Sequence, residues 1–222
     1  MSNYYCNFKN QTDQTWTMAV YQTLPDSIGL DSVSWKQTTV PHSGFSGVKW
    51  EVDYNVAIAD YQQSGGIGVY TASQVLSSLL GKQWDCVFTD NVQQLKEAGN
   101  ASQGNQIIIN NKSNRLANLG IGMSGQGSLY KQGVLSGASA QFTVTPTYWV
   151  GLFNQVQLGQ VISSNITVGP LKLEYPSGLN AATVTAILDG NNILLNVEYG
   201  NQVSVSQAII QERIKSYKAL LA

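Results

Sequence analysis

The chain has 222 residues, 43% of them apolar and only 11% charged, with a formal net charge of −1. That apolar share supports a sizeable core, and all-β sandwiches of this length commonly form one domain. A balance of 12 basic and 13 acidic residues, with no Lys/Arg run, excludes the basic footprint of nucleic-acid binding and the polybasic patch that docks on an anionic membrane.

Met1 to Cys6 lacks the basic and then apolar pattern of a secretory signal, and no segment approaches roughly 18 uninterrupted apolar residues, so a cytoplasmic protein is expected. Alternation with period two, the mark of a strand with two unlike faces, recurs along most of the chain. Tyr4, Cys6 and Phe8 alternate with polar residues, residues 10–14 read as a turn, and Trp16, Met18 and Val20 resume the alternation, which predicts an opening hairpin. The longest run, Val48, Trp50, Val52, Tyr54, Val56 and Ile58, reads as a half-buried strand with one wet face. Further strands are predicted at 67–73, 84–88, 106–109, 128–132, 141–145, 148–153 and 171–174. A last pair, 183–188 and 193–199, flanks the turn signal Asp189-Gly190.

Two stretches read as short helices. Val75 and Leu76 face Leu79 and Leu80 before Gly81, and the stretch 91–98 ends in Gly99 in the same way. At the C-terminus, Ser204 and Gln207 form a capping-box pattern, and Ile210, Ile214, Tyr217 and Leu221 share one helical face. The predicted fold is therefore mainly β: an antiparallel β-sandwich over 1–203 with a C-terminal amphipathic α-helix over 204–222. That helix either belongs to the same domain or acts as an association element. No repeat of fixed period is visible. From Ala98 to Leu171 there is no Asp or Glu, and Lys112, Arg115 and Lys131 are the only charges, a composition that suits core or a surface covered by another molecule.

Gly120-Ile121-Gly122-Met123-Ser124-Gly125 is a literal G-x-G-x-x-G, but the residues after it, from Gln126 and Gly127 to Tyr130, do not read as a helix, and the next acid is Glu174. The dinucleotide reading therefore fails, and Gly120, Gly122, Gly125 and Gly127 are read as an architectural block permitting a bulge, bend or close strand approach. His42 is the sole histidine, in a Gly/Ser/Pro loop with Ser43 and Ser46 nearby but without a nucleophile elbow. Glu51, Asp53 and Asp60 are close in sequence and read as solubilising acids, with a carboxylate pair or calcium site as the alternative. Cys6 and Cys86 suit a reduced compartment, a single bridge being the alternative. Four sequons, at Asn10, Asn100, Asn111 and Asn165, carry no functional weight in a cytoplasmic chain. The Trp and Tyr residues read mainly as core, although with Asn and Gln they also build sugar-binding surfaces. Trp50, Asp53, Tyr148 and Trp149 are the ligand-facing candidates.

Several segments together resemble the RhiA family of rhizosphere-expressed proteins. They are Phe8-Lys9-Asn10, Val20-Tyr21-Gln22-Thr23, Trp50-Glu51-Val52-Asp53-Tyr54, Gly120 through Gly127, Tyr148-Trp149 and Thr185-Ala186-Ile187-Leu188. The glycine block is the most distinctive, while residues 77–104 and 204–222 inherit nothing from the resemblance. The resemblance implies a protein of plant-associated or environmental bacteria, abundant and produced under cell-density control. It brings no established reaction, cofactor or catalytic residue. The sequence thus predicts a non-enzymatic binding or self-associating β protein with no cofactor, no metal and no catalytic centre. Its expected partners are a second copy, docked through the C-terminal helix, and a small molecule or glycan. A lectin-like module and a cofactor-free enzyme with a pocket between the sheets are the alternatives.

Overall fold

Apolar residues at alternate positions need a sheet face to bury, and the chain supplies strands throughout. The structure, a computed structural model, describes residues 3–22, 29–144, 147–162, 166–200 and 210. Its strands are β1 (Asn3–Gln11), β2 (Trp16–Tyr21), β3 (Asp31–Ser32), β4 (Lys36–Val40), β5 (Phe45–Glu51), β6 (Tyr54–Ser64), β7 (Ile67–Ser77), β8 (Lys82–Thr89) and β9 (Val92–Asn100). They continue with β10 (Gln106–Asn111), β11 (Ala117–Met123), β12 (Gln126–Val134), β13 (Ser139–Thr143), β14 (Tyr148–Phe153), β15 (Val168–Leu173), β16 (Ala181–Asp189) and β17 (Asn192–Gly200).

Where one pair of sheets is expected, two pairs occur. In module A, one sheet has the order β17-β16-β1-β5 and the other β15-β14-β2-β4; in module B the orders are β9-β8-β10-β13 and β7-β6-β11-β12, with β3 added beside β12. Pairing is antiparallel throughout except for two parallel contacts, β1 with β16 and β10 with β8. Each module has its own core: Phe8, Met18, Trp50, Val150 and Val184 are among the residues that fill module A, and Val56, Ile107, Leu119, Leu129 and Phe142 are among those that fill module B.

The two modules are copies of one plan. Module B, read from β6 to β13, has the sheet order of module A read from β14 to β17 and then through β1, β2, β4 and β5. The registers agree at matched positions: Trp16 faces Val40 as Ala117 faces Val134, Val20 faces Val150 as Ile121 faces Val56, and Ala186 faces Leu195 as Cys86 faces Leu95, with bulges in β11–β12 and β8–β9 that module A lacks. The parallel pairs match too, Phe8 with Val184 and Ile109 with Trp84.

Three local expectations are corrected. β1 and β2 form no hairpin; they lie in opposite sheets of module A, because residues 10–15 turn a corner from one sheet to the other. The run from Val48 to Ile58 is two strands, broken at Val52 and Asp53 where the chain passes from module A to module B. The two short helices are instead the end of edge strand β7, whose first part is the strand expected at 67–73, and the edge strand β9; their half-exposed apolar residues mimic a helical stripe. The described elements are all strands. The C-terminal helix expected over 204–222 falls outside the described residues except for Ile210, which is exposed, so the structure lends it no support, and Ile214, Tyr217 and Leu221 lie outside as well.

The corner that sends β1 into β2 is fixed by Asn10, fully buried. Its amide donates to the carbonyls of Gln14, Val40 and Pro41 at 2.7, 3.0 and 3.0 Å, and its carbonyl accepts from Thr12 N and Oγ1 at 3.1 and 2.8 Å. Module B repeats the device between β10 and β11. Buried Asn111 donates to the carbonyls of Arg115 and Val134, both at 2.7 Å, and accepts from Ser113 N and Oγ at 3.0 and 2.6 Å. Two of the four sequons are thus committed to backbone carbonyls of the corner and of the strand opposite, the buried bonds being those to Val40 and Val134. Asn165 lies outside the described residues.

The glycine block forms the β11–β12 hairpin. Ser124 and Gly125 both have positive φ, 53° and 69°, the combination a tight two-residue hairpin turn requires. A Cβ on Gly122 would run into the Gln126 carbonyl oxygen, and one on Gly120 or Gly127 would enter the Tyr130 side chain. These glycines are the bed on which Tyr130 lies, stacked at 4.4 Å against Tyr70. The hairpin tip joins the modules. Met123 packs into the core of module A, and its carbonyl accepts from Trp35 Nε1 at 3.1 Å. Ser124 N donates to Asp53 Oδ1 at 2.7 Å, and Ser124 Oγ accepts from Glu51 N at 2.7 Å.

Replacing Asn111 by Ala strips at least two buried backbone groups of their partners, and the expected loss is about 3 kcal/mol of unfolding free energy in urea titration. Asn10→Ala should cost a similar amount, and Gly122→Val should lower the melting temperature without altering any ligand-dependent signal. Cys6 and Cys86 are free and buried in different cores, which excludes a bridge between them here. Burial pushes their thiols up to about 12 and about 11, so neither forms thiolate at neutral pH. Native protein should be inert to a thiol-exchange reagent at pH 8, and both thiols should react once it is unfolded. Because the folded-state values are raised, their contribution to stability is complete below the ordinary thiol range and is lost as pH rises from there through the raised values.

Candidate functional site

A segment that leaves β14 at Asn154 and runs to Ile162 ties the modules together. Its backbone alternates between two edges of the five-stranded sheet. Ser34 N donates to Gln160 O at 2.8 Å and Ile162 N to Ser32 O at 2.8 Å on the β3 side, while Tyr70 N donates to Gly159 O at 2.9 Å and Val161 N to Gly68 O at 2.9 Å on β7. Under this strap a small core forms from Val33, Ala57, Ala59, Tyr70 and Tyr130. The Tyr70 hydroxyl, raised well above the ordinary phenol range by burial and then by the Asp31 carboxylate, donates to Asp31 Oδ2.

Between the strap and β2 and β4 of module A lies a cleft of about 700 Å³. One wall carries Thr15, Thr17 and Thr39, with the Thr17 and Thr39 hydroxyls paired at 2.8 Å. The other carries Asn154, Gln155, Gln157 and Gln160, with Val156 and the half-exposed Ile67 as apolar contacts. Gln160 is held by Gln157 N, which donates to its Oε1 at 3.1 Å, whereas Asn154, Gln155 and Gln157 are exposed or half-buried. The cleft therefore presents neutral donors and acceptors and no charged side chain.

The ligand-facing candidates do not converge. Trp50 and Tyr148 are 1% and 3% exposed and meet at 5.0 Å between ring centroids in the core of module A, with Trp35 and Tyr4 around them. Trp50 Nε1 is buried and makes no hydrogen bond, and burial pushes the Tyr148 hydroxyl up to about 12. Tyr148 also borders a pocket of about 310 Å³ with Tyr4 and Tyr175. Trp149 points to the opposite face of β14, where it faces Tyr21 across the sheet; Trp149 Nε1 and the Tyr21 hydroxyl are both buried without a hydrogen bond. Asp53 is spent on the glycine hairpin.

His42 is exposed on a turn, its Nδ1 against the Thr12 carbonyl and its Nε2 3.0 Å from Ser43 Oγ. Neither residue lines any of the clefts described. Ser46 Oγ accepts from Thr38 Oγ1 at 2.7 Å, in the wall between β4 and β5. Among the described residues no group of three or more His, Cys, Asp or Glu could hold a metal ion, and no described helix is long and apolar enough to cross a membrane.

Sequence reasoning missed the strap and its cleft, because a run of amides between two strands reads as an ordinary loop. It also passed over Arg115, one of only three charges between Ala98 and Leu171, whose guanidinium carbon lies 4.0 Å from the Phe88 ring centroid. The scarcity of charge around it was the available signal.

Comparison with known proteins agrees with the resemblance of the glycine block and its companion segments. A family model described as RhiA matches residues 1–199. The chain is 27% identical over 180 residues to the Protein RhiA of Rhizobium leguminosarum bv. viciae, covering 77% of each. No solved structure matches. With the family model spanning nearly all the described strands, the chain belongs to the RhiA family.

Proposed function

We propose that the protein is a non-enzymatic binding protein whose ligand is a neutral, hydroxyl-rich molecule of the sugar class, held in the cleft between the strap and module A. The observation that carries this reading is the lining of that cleft, with three threonine hydroxyls and four side-chain amides and no formal charge. Amides and hydroxyls each offer donors and acceptors at fixed spacing, which suits a ligand that is itself both donor and acceptor at every carbon. Ile67 and Val156 supply the apolar contact on which a sugar's C–H face rests. The exposed side chains of Asn154 and Gln155 can be removed without opening a core, so Asn154→Ala and Gln155→Ala should fold as the parent does. On a panel of immobilised neutral oligosaccharides, the parent should retain at least one. Each variant should bind it about tenfold more weakly, a loss of one or two hydrogen bonds. Retention of nothing by the parent, or equal retention by the variants, would sink the reading.

Self-association is the second part of the proposal. Ile210, the described member of the apolar stripe with Ile214, Tyr217 and Leu221, is 56% exposed on the single chain, and an apolar stripe is stable in water only when covered. Removal of residues 204–222 should lower the mass seen by light scattering and leave the β signal in circular dichroism unchanged. A parent protein already monomeric at tens of micromolar contradicts it.

A further inference from the structure

The duplication supplies an internal control, because a side chain that one module has and the other lacks at the same register position is not demanded by the fold. A groove of about 600 Å³ opens at one end of module B, bordered by β6, β7, β8 and β9 and the β10–β11 corner. Arg115 stands in it with its guanidinium over the Phe88 ring. Among the described residues its side chain makes no ion pair and no hydrogen bond; only its backbone carbonyl is engaged, by Asn111 and Ser113. The groove walls are fixed: Gln74 Oε1 accepts from Leu95 N at 2.7 Å, and Gln93 Nε2 donates to Ser113 Oγ at 2.8 Å and to Leu116 O at 3.0 Å. At the rim, Val92 and Leu116 are 52% and 63% exposed, and Asp60 carries the groove's one carboxylate.

In module A the carbonyl that answers to Arg115 is that of Gln14, which accepts the Asn10 amide as Arg115 accepts that of Asn111. Register places Leu188 where module B has Phe88, and Asn154, one residue past the Phe153–Thr17 pair, answers to Asp60, one residue past the Ala59–Asn118 pair. At these matched positions module A has an amide, an aliphatic side chain and an amide in place of a cation, an aromatic ring and an acid. The cation, its platform and the acid are thus additions to the shared plan.

We infer that this groove, separate from the cleft of the strap, is a binding site for a small organic monocarboxylate with an apolar body. A guanidinium set over a ring and without an ion-pair partner has N–H groups to offer, and its N–H edge matches a carboxylate through two parallel hydrogen bonds. Val92 and Leu116 receive the body of the ligand. Asp60 leaves the groove with no net charge, which disfavours a dianion such as phosphate against a monoanion.

The test is calorimetric titration of the full chain with phenylacetate and with phenylacetamide, which share shape and differ in charge. The parent protein should bind phenylacetate saturably and about tenfold or more tightly than phenylacetamide. Arg115→Gln, which installs the residue module A uses at that position, should abolish the preference at an unchanged denaturation midpoint. Asp60→Asn should tighten phenylacetate severalfold. Lack of saturable phenylacetate binding up to ~10 mM, a preference that survives Arg115→Gln, or displacement of phenylacetate by an equal concentration of inorganic phosphate overturns the assignment.

Discussion

Everything in this fold hangs on a side-chain amide that must be buried. A strand that leaves one sheet and enters the facing one exposes the carbonyls of the corner to the core, and each such carbonyl without a partner costs on the order of 1–3 kcal/mol. Asn10 and Asn111 remove that cost by giving their N–H groups to the corner and to the end of the strand opposite, Val40 in one module and Val134 in the other. Thr12 and Ser113 close the loop by donating back to the asparagine oxygen. Because the amide ties the corner to the neighbouring strand, it fixes the register at that end, and the cores assemble against a frame already set. Asp at either position would set oxygen against oxygen, and Gln would reach too far.

The second constraint is the exchange of volume between glycine and tyrosine. Ala57, Ala59, Gly120 and Gly127 clear one face of the five-stranded sheet, and Tyr61, Tyr70 and Tyr130 fill it with packed rings. Gly68 makes the same provision for Tyr61. That face would otherwise be the wet side of an ordinary sandwich. With the tyrosines in place it becomes a third small core, and the strap of residues 154–162 seals it. The glycine hairpin therefore does two jobs: its backbone accommodates Tyr130, and its tip carries Met123 into the neighbouring module.

Period-two alternation reveals most of the strands and the last hairpin, since those depend on local sequence alone. What it cannot reveal depends on partners far away. The run from Val48 to Ile58 alternates straight through the module boundary, and nothing in the pattern marks Val52 and Asp53 as a break. The end of β7 and all of β9 read as helices in the sequence because edge strands are half exposed on both faces and lose the alternation. The glycine block is legible as architecture because its context excludes a nucleotide. Its purpose is not legible, since Tyr130 and Tyr70 are brought together over it by the pairing of β6 with β11, strands distant in sequence. Trp50 and Tyr148 suit either core or a ligand-facing surface by sequence; their burial puts both in the core of module A.

The duplication itself is hidden by how the chain is threaded. Module A is assembled from the first strands and the last, with β6 to β13 of module B between them, so no fixed period runs along the sequence. The cores share size and not identity, Phe8 against Ile109 and Met18 against Leu119, and hydrophobic volume tolerates such exchange so long as packing is kept. What recurs is the Asn-x-Thr or Asn-x-Ser corner, the one place where hydrogen-bond geometry admits few substitutes. This separates two kinds of residue that a single sandwich would confound. Positions alike in both modules are those the plan requires. Positions that differ sharply without loss of the plan, such as Gln14 against Arg115 and the two-residue glycine turn against the long β2–β4 connection, are free to carry what the protein does beyond folding.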